Sequence, residues 1–302
     1  MTDLIIHCGA HKTATTSIQN ILRSIRKSLT EHKIYYILPS EINSIGIIDA
    51  LRLKAIEVDQ KNRLEQFFKN IIQQHKPDKI LISHESFFSF VNLDPSSRSF
   101  YSSIENSLEQ FSNYGIKDIF NKIRIIFYIR RQDSFLISLY LQHLSTGVWI
   151  DSFDAISKKI DYQVMSWIKP IRLFEEQFEL QNIIIRPFEK IKEGSDIFLK
   201  DFFYSAGINY YSHFPRLSIS NQSFSKLSYQ IAINTYPYLS VEKRKVASNF
   251  LKNIFPANAF GKTNLISKEL SQKILHYHQA DNARVFERYI KDYPTDFYAP
   301  DP

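Results

Sequence analysis

The stretch that decides the fold is residues 4–19, Leu-Ile-Ile-His-Cys-Gly-Ala-His-Lys-Thr-Ala-Thr-Thr-Ser-Ile-Gln. Its first part, Leu4–Cys8, is a short apolar run of strand length. Within Thr15–Ile25 the apolar residues recur three, four and seven positions apart, which is the period of an α-helix. The loop between the two begins at Gly9. A strand, a tight loop and a helix in this order predict the opening of an α/β fold.

The same alternation continues along the chain. Further apolar runs of strand length, separated by segments with helical spacing, occur at Ile34–Leu38, Lys79–Ser83, Ile123–Ile129 and Ile183–Arg186. Because these runs are continuously apolar, both faces of the sheet that they form must be covered, which is typical of parallel sheets. We therefore predict a three-layer α/β/α fold with a mostly parallel central sheet.

The strand signal fades after about residue 215, where helical patterns replace it. These patterns cover Lys226–Thr235, Glu242–Ile254 and Lys268–Tyr289. Neither an internal repeat nor a low-complexity linker interrupts the sequence. We predict a single domain over residues 1–302, with an α/β core at 1–215 and a helical C-terminal region at 216–302.

The composition limits the possible classes of protein. With 44% hydrophobic and 23% charged residues in 302 positions, the chain is neither disordered nor a coiled coil. Its single cysteine, Cys8, excludes an internal disulfide and a four-cysteine zinc site. The formal net charge of +7 favours an anionic ligand or surface. The sequence shows no signal peptide and no apolar run of about 18 residues, so we expect a cytoplasmic protein without a transmembrane segment.

The loop between the first strand and the first helix suits an anion. It combines Gly9, Lys12 and four hydroxyl residues within positions 13–17. The free N–H groups at the start of the helix and the positive end of its dipole would face this loop. The pattern differs from the Walker A motif, which places its lysine after a second glycine and directly before Ser or Thr. A short loop with an early lysine suits a single phosphate ester beside a transferable group, although the hydroxyl residues would also suit an ordinary helix start.

Residues 9–17, Gly-x-x-Lys-Thr-x-Thr-Thr-Ser, resemble the 5′-phosphosulfate-binding loop of sulfotransferases that use 3′-phosphoadenosine-5′-phosphosulfate (PAPS). The sequence of residues 11–19 is similar to that of bacterial carbohydrate-type members. The resemblance implies a P-loop NTPase-like fold and a catalytic role for Lys12. The residues of this loop that it implies in donor binding are Gly9, Ala10, His11, Lys12, Thr13, Ala14, Thr15, Thr16 and Ser17. Ala14 stands where the family commonly has glycine, a departure that is mild if residue 14 has right-handed helical dihedral angles.

A second anion motif follows the most apolar strand. Ile123–Ile129 runs directly into Arg130, and Ser138 lies in the helix that follows. An arginine at the carboxyl end of a strand lies where ligands bind in open α/β sheets, and its planar fork fits a phosphate. Taken alone, the arginine could instead form a surface pair with Asp133. The spacing of eight residues resembles the 3′-phosphate-binding motif of the same family, which implies that Arg130 and Ser138 bind the 3′-phosphate of PAPS, and Arg131 could add a contact.

The candidate bases lie at the end of the strand Lys79–Ser83. A base that removes the proton of an acceptor hydroxyl contributes about 10²–10⁴-fold to the rate of transfer. The resemblance implies a base between the two donor motifs, which is histidine in some branches of the family and glutamate in others. His84 and Glu85 are both present. The sequence Glu-Ser-Phe-Phe resembles glycan-modifying members and favours Glu85, with His84 the second candidate, and each could also have a purely structural role.

Two further positions are implied by the resemblance alone. Phe188 follows the strand Ile183–Arg186 and stands where the family has an aromatic residue near the adenine. Lys262 lies where a late basic loop of the family closes over the 3′-phosphate. We expect both to contact the donor, although Phe188 could instead be a core aromatic residue.

Together these motifs predict a sulfotransferase that moves the sulfuryl group of PAPS to a hydroxyl acceptor by in-line displacement and releases 3′-phosphoadenosine-5′-phosphate (PAP). The resemblance favours a glycan or glycolipid as the acceptor. We expect no metal cofactor and no nucleic-acid partner. The alternatives are a P-loop kinase or NTPase, which shares the order of strand, anion loop and helix, and a non-catalytic polyanion-binding protein, which the net charge permits.

Overall fold

The computed structural model describes residues 2–91, 100–209, 215 and 223–301. The chain packs as two compact units, each assembled from separate stretches of sequence. Unit 1 comprises Met1–Arg130, Val164–Ile219 and Asp281–Phe297, and unit 2 comprises Arg131–Gln163, Ser220–Ala280 and Tyr298–Pro302. The assignment of residues 1–302 to a single domain stays a prediction.

Unit 1 is built on a sheet of five parallel strands within the described residues. The strands are β1 (Asp3–His7), β2 (Ile34–Ile37), β3 (Lys79–Ser83), β4 (Ile123–Ile129) and β5 (Ile183–Pro187). Their spatial order is β2-β3-β1-β4-β5, and every neighbouring pair is parallel. The predicted sheet is therefore confirmed. β1 begins and ends one residue earlier than the sequence indicates, and its two neighbours are β3 and β4.

Helices make up most of the remaining described chain. In chain order they are α1 (Thr15–Ser24), α2 (Arg26–Glu31), α3 (Pro39–Ser44), α4 (Ile47–Ala50), α5 (Val58–His75), α6 (Ile104–Asn113), α7 (Gln132–Ser145), α8 (Phe153–Ser157), α9 (Ile168–Gln177), α10 (Ser195–Ser205), α11 (Lys226–Thr235), α12 (Val241–Ile254), α13 (Ala257–Phe260) and α14 (Lys268–Tyr289). The last four match the predicted helical C-terminal region. None of the helices in the described ranges combines the length and the apolar character that crossing a bilayer requires.

Helices cover both faces of the sheet. Successive side chains of β4 point to opposite faces, so their contacts identify the helices on each face. On one face, the Tyr128 ring lies 5.1 Å from the ring of Phe198 on α10, measured between centres. On the other, the Phe127 ring lies 5.5 Å from Phe174 on α9 and 6.0 Å from Trp167. Each large side chain buried in this way contributes about 1.5–3 kcal/mol to stability. The predicted three-layer α/β/α arrangement with a parallel central sheet is thus confirmed.

Candidate functional site

Three loops meet at one edge of the sheet in unit 1. β3, β1 and β4 are parallel neighbours, so the loops that follow them leave from the same edge. These loops begin at Cys8, His84 and Arg130 and contain the three motifs of the sequence. In open α/β sheets this edge is where ligands bind. The fold therefore brings the loop of residues 9–17, the candidate bases and Arg130 together.

The loop after β1 remains hydrogen-bonded to β4. The N–H of Ala10 donates to the Tyr128 carbonyl at 2.7 Å, and the N–H of Tyr128 donates to the Gly9 carbonyl at 2.7 Å. Gly9 has a φ of +110°, and a Cβ at this position would lie 3.3 Å from the Glu85 carbonyl oxygen. Glycine is favoured here because the chain turns in the left-handed region and passes close to the backbone of the loop after β3.

Two residues of the loop after β1 adopt the left-handed conformation that side chains disfavour. Lys12 has a φ of +63° and Ala14 a φ of +64°. Ala14 does not have right-handed helical dihedral angles, so the expectation that its departure from glycine is mild is wrong. The left-handed conformation costs a non-glycine residue about 1–2 kcal/mol. Such conformations concentrate at binding and catalytic sites, where the surrounding contacts hold them in place.

The hydroxyl groups of this loop lie in different environments. Thr13 is fully buried, and its hydroxyl donates to the Ala10 carbonyl at 2.6 Å, so it braces the loop from inside. The hydroxyl of Thr15 is buried and has no hydrogen-bond partner among the described residues. Thr16 is exposed, whereas Ser17 is buried. Because α1 begins at Thr15 without a side-chain cap, the N–H groups of its first turn carry the positive end of the helix dipole to the loop.

Arg130 reaches back to the loop after β1. Its Nη1 donates to the Lys12 carbonyl at 2.8 Å, and its guanidinium lies 4.9 Å from the centre of the Phe188 ring. The indole N–H of Trp167 donates to the Arg130 carbonyl at 2.8 Å, which anchors the backbone at the end of β4. Phe188 also packs edge-on against Phe198, with 5.9 Å between ring centres, so one side of it belongs to the core. The structure thus brings Arg130, Phe188 and the Lys12 backbone together.

Glu85 is held by the helix that follows the loop. The side-chain amide of Gln19 on α1 donates to the Ser83 carbonyl at 2.9 Å and to Glu85 Oε2 at 3.3 Å. Glu85 itself is half-buried. Its other oxygen, Oε1, takes part in no hydrogen bond within the described part of the chain. The carboxylate is therefore oriented from α1 and retains one oxygen for a ligand.

The contact that His84 receives at Nδ1 makes its Nε2 a hydrogen-bond donor. The Ser86 N–H donates to His84 Nδ1 at 3.2 Å, so the neutral ring carries its proton on Nε2. Burial lowers the pKa of His84 below its usual value, the Glu85 carboxylate acts in the opposite direction, and the positive charge of Arg52 lowers the pKa further. A neutral imidazole with this tautomer cannot accept a proton at Nε2. Of the two candidate bases, this arrangement favours Glu85.

Residues outside the sequence motifs connect these loops. The His11 N–H donates to the Tyr101 hydroxyl at 2.9 Å, and His11 Nε2 lies 3.1 Å from the Ser86 hydroxyl. Tyr101 is buried, and this burial raises the pKa of its hydroxyl. Tyr101, Gln19 and Trp167 all contact groups that are distant in sequence. Tyr101 and Trp167 belong to no local pattern, so the sequence carries no signal that identifies them, and the contact of Gln19 with Glu85 does not follow from the pattern of residues 11–19 that contains it.

Two predicted donor ligands belong to unit 2. Ser138 is half-buried within α7, and Lys262 is exposed. Their contact with the donor stays a prediction. Arg131 forms ion pairs with Asp133 and Asp301, each at 2.9 Å. Because two carboxylates already engage its guanidinium, a second contact from Arg131 to the donor is not favoured.

Two cavities contain none of the predicted site residues. One of about 240 Å³ in unit 1 lies beside Ile34 and Lys79, the first residues of β2 and β3, at the sheet edge opposite the three loops. Another of about 750 Å³ in unit 2 is lined by residues of α8 and of the start of α14, together with Tyr162. No group of three or more His, Cys, Asp and Glu side chains that could hold a metal ion occurs in the ranges that the structure describes.

Comparison with known proteins finds similarity only among solved structures, since no family model and no curated protein matches the sequence. A sulfotransferase from Alicyclobacillus acidocaldarius is 12% identical with a TM-score of 0.44, and the alignment covers 82% of this chain and 95% of that one. A retinol dehydratase in complex with androsterone and the inactive cofactor PAP is 8% identical with a TM-score of 0.38, and the alignment covers 92% and 80%. Both TM-scores are below 0.5, so the roles of residues in this chain rest on its own sequence and geometry.

Proposed function

We propose that this chain is a sulfotransferase that transfers the sulfuryl group of PAPS to a hydroxyl group. The observation that carries the proposal is the hydrogen bond from Arg130 to the Lys12 carbonyl at 2.8 Å. This bond joins two anion motifs that lie 118 positions apart in the sequence. A donor with a phosphate at its 3′ position and a phosphosulfate at its 5′ position needs two anion-binding groups in one site.

The residues present fit such a donor. The N–H groups of the first turn of α1, the unpartnered hydroxyl of Thr15 and the charge of Lys12 suit a 5′-phosphosulfate. The planar guanidinium of Arg130 suits a phosphate, and the partly buried ring of Phe188 beside it supplies an aromatic contact for a purine. Phenylalanine at this position provides that contact without a hydroxyl group.

Different groups of the chain have different roles in the proposed transfer. PAPS supplies the sulfuryl group together with a phosphate leaving group. Lys12 neutralises the negative charge that builds on the bridging oxygen as its bond to sulfur breaks, and the main-chain N–H groups of residues 13–17 hold the 5′-phosphate. As in phosphoryl transfer, positioning of the reactants supplies much of the remaining rate enhancement.

Glu85 takes the proton of the acceptor hydroxyl as the new bond between sulfur and the acceptor oxygen forms. The contact from Gln19 supports this role, because it orients one carboxylate oxygen and leaves the other for the hydroxyl. His84 donates a hydrogen bond from Nε2 in this scheme. The resemblance to carbohydrate-type members favours a glycan or glycolipid hydroxyl as the acceptor.

Calorimetric titration with PAP and with 5′-AMP tests the donor site. We expect PAP to bind at least about tenfold more tightly, because hydrogen bonds from a charged group to the 3′-phosphate contribute about 1.5–3 kcal/mol. Equal affinity for the two nucleotides, or binding of neither, would contradict the proposal. Magnesium-dependent hydrolysis of ATP or phosphorylation by ATP would instead favour a P-loop kinase or NTPase.

A further inference from the structure

Arg52 is a half-buried arginine beside the loop that carries Glu85. Its terminal nitrogens donate to two main-chain carbonyls, that of Ile48 in α4 and that of Ser86. Its guanidinium also stacks on the Phe90 ring, 3.9 Å from the ring centre. These contacts hold both the position and the plane of the guanidinium.

The Arg52 guanidinium has no carboxylate partner in the described ranges, where no Asp or Glu oxygen lies within 4.0 Å of it. Two other half-buried arginines of unit 1 do have such a partner, since Arg26 pairs with Glu41 at 2.9 Å and Arg186 with Asp292 at 3.0 Å, whereas Arg124 donates to the Ser205 carbonyl and has no carboxylate partner in the described ranges. Burial lowers the pKa of Arg52, as expected of a cation that has lost water, and the charge of Asp49 acts in the opposite direction. A partly desolvated cation without a counter-charge costs free energy, which an anionic ligand would recover.

The donors of Arg52 are only partly used. A guanidinium has five N–H groups, of which the Ile48 and Ser86 carbonyls accept two. Nε is buried and has no hydrogen-bond partner in the described structure. One N–H on each terminal nitrogen is left, and a guanidinium with donors on both nitrogens can bind both oxygens of an oxyanion. The Phe90 ring beneath it is 53% exposed, so a ligand on Arg52 could also pack on this ring.

We infer that Arg52 recognises the acceptor, and that the acceptor carries an oxyanion group, namely a carboxylate, sulfate or phosphate, close to the hydroxyl that is sulfated. The inference rests on the proposed function, because it takes Glu85 as the base that marks the position of this hydroxyl. Ser86, whose carbonyl Arg52 binds, is the residue directly after Glu85. An oxyanion on Arg52 and a hydroxyl at Glu85 can therefore belong to one acceptor. The net charge of +7 favours the approach of such an anion.

Pairs of sugars that differ in an oxyanion test this role. They are a tetrasaccharide of alternating glucuronate and N-acetylglucosamine with its carboxyl methyl ester, galactose 6-sulfate with galactose, and glucose 6-phosphate with glucose. Affinities are measured by calorimetry with and without saturating PAP. We expect at least one charged sugar to bind about tenfold or more tightly than its neutral partner, which also identifies the oxyanion. The inference is overturned if no charged sugar binds more tightly than its neutral partner.

Variants of Arg52 assign the preference to this side chain. Arg52→Gln should reduce the preference to within about twofold, and Arg52→Lys should retain part of it because an ammonium keeps the charge without the planar fork. Phe90→Ala, at an exposed ring, should weaken the preference while the fold is kept. Arg124→Gln is the matched control, since Arg124 is half-buried and donates to the Ser205 carbonyl at 3.1 Å but lies near the start of β4.

The outcomes separate this inference from the proposed function. Equal loss of the preference in Arg52→Gln and Arg124→Gln, or no loss in Arg52→Gln, would overturn the role of Arg52. PAP binding without any charge preference would leave the donor site standing and remove the acidic acceptor. A preference that depends on Arg52 in a protein that does not bind PAP would support the anion site and overturn the sulfotransferase proposal.

Discussion

The guanidinium of Arg130 donates to the main-chain carbonyl of Lys12, with 2.8 Å between Nη1 and the oxygen. This bond crosses from the end of β4 to the loop after β1. It places the positive charge of Arg130 against a loop whose residues 12 and 14 both have positive φ angles, and beside the ring of Phe188. The same side chain therefore supports the loop backbone and provides the proposed contact to the 3′-phosphate.

Replacing Arg130 should change the affinity for PAP and the affinity for 5′-AMP by different amounts. Arg130→Lys keeps the charge but loses the planar fork, so we expect the affinity for PAP to fall at least about tenfold and the affinity for 5′-AMP to change less than about twofold. Calorimetry measures both affinities. Arg63→Gln, at an exposed position on α5, is the control and should change neither. An equal loss for the two nucleotides would contradict the contact to the 3′-phosphate.

Removing the charge of Lys12 should slow the chemical step. In Lys12→Ala we expect kcat to fall by about 10²–10³-fold, comparable to the loss of a group that stabilises developing negative charge. The affinity for PAP should fall much less, because the main-chain N–H groups of the loop are retained. Turnover of labelled PAPS with the acceptor measures kcat, and Lys27→Ala, exposed on α2, is the control. A near-normal kcat in Lys12→Ala would exclude this role.

The two candidate bases should respond differently to the same substitution. Glu85→Gln keeps the size of the side chain but removes the base, so we expect kcat to fall by about 10²–10⁴-fold with the affinity for PAP unchanged. His84→Gln keeps a donor group, and we expect a loss of less than about tenfold if His84 only donates a hydrogen bond. Single-turnover rates with saturating PAPS compare the variants. The reverse ranking would assign the base to His84.

Glycine at position 14 should stabilise the protein. Ala14 has a φ of +64°, and the strain of about 1–2 kcal/mol that this causes is only partly offset by the higher chain entropy of unfolded glycine, about 0.5–1 kcal/mol. Ala14→Gly should therefore raise the free energy of unfolding in urea by up to about 1.5 kcal/mol. Ala283→Gly, within α14, should lower it by about 1 kcal/mol and is the control. A loss of stability in Ala14→Gly would be at odds with the left-handed conformation.

Stability should depend on pH through His7, a fully buried residue at the end of β1. Its Nδ1 lies 2.9 Å from the Ser83 hydroxyl, and burial lowers its pKa from 6.5 to about 3. Between these values the unfolded chain binds the proton and the folded chain does not. The stability present above pH 6.5 is therefore lost as the pH falls toward 3, with a slope approaching about 1.4 kcal/mol per pH unit.

Urea unfolding between pH 4 and pH 7 measures this slope. His7→Gln removes the titrating group and should give a smaller slope than the wild-type chain. His276→Gln, at an exposed position on α14, should give the wild-type slope. If His7→Gln and the wild-type chain lost stability in parallel, another group would have to carry the dependence.

The strands could be predicted from the sequence because both faces of the sheet are covered. A strand buried on both sides needs a continuous apolar run, and the bounds of β3 (Lys79–Ser83) and β4 (Ile123–Ile129) are as predicted. The short helices α3 and α4, of six and four residues, could not be predicted, because fewer than two turns show no helical period.

The candidate site could be predicted only where it follows from strand order. Arg130 ends a strand that neighbours β1, so its approach to the loop is a consequence of the parallel sheet. The conformation of Ala14 and the contacts of Gln19, Trp167 and Arg52 depend on packing between segments that are far apart in sequence. A local pattern contains no information on such contacts.

A Cβ at position 9 would lie 3.3 Å from the carbonyl oxygen of Glu85. The chain segment proposed to hold the donor and the segment proposed to deprotonate the acceptor therefore touch through bare backbone. A single methyl group there would push the two segments apart and so lengthen the path from sulfur to the attacking oxygen, although no reacting group would be lost. In the proposed reaction, the distance between the donor and the acceptor therefore depends on the absence of a side chain at Gly9.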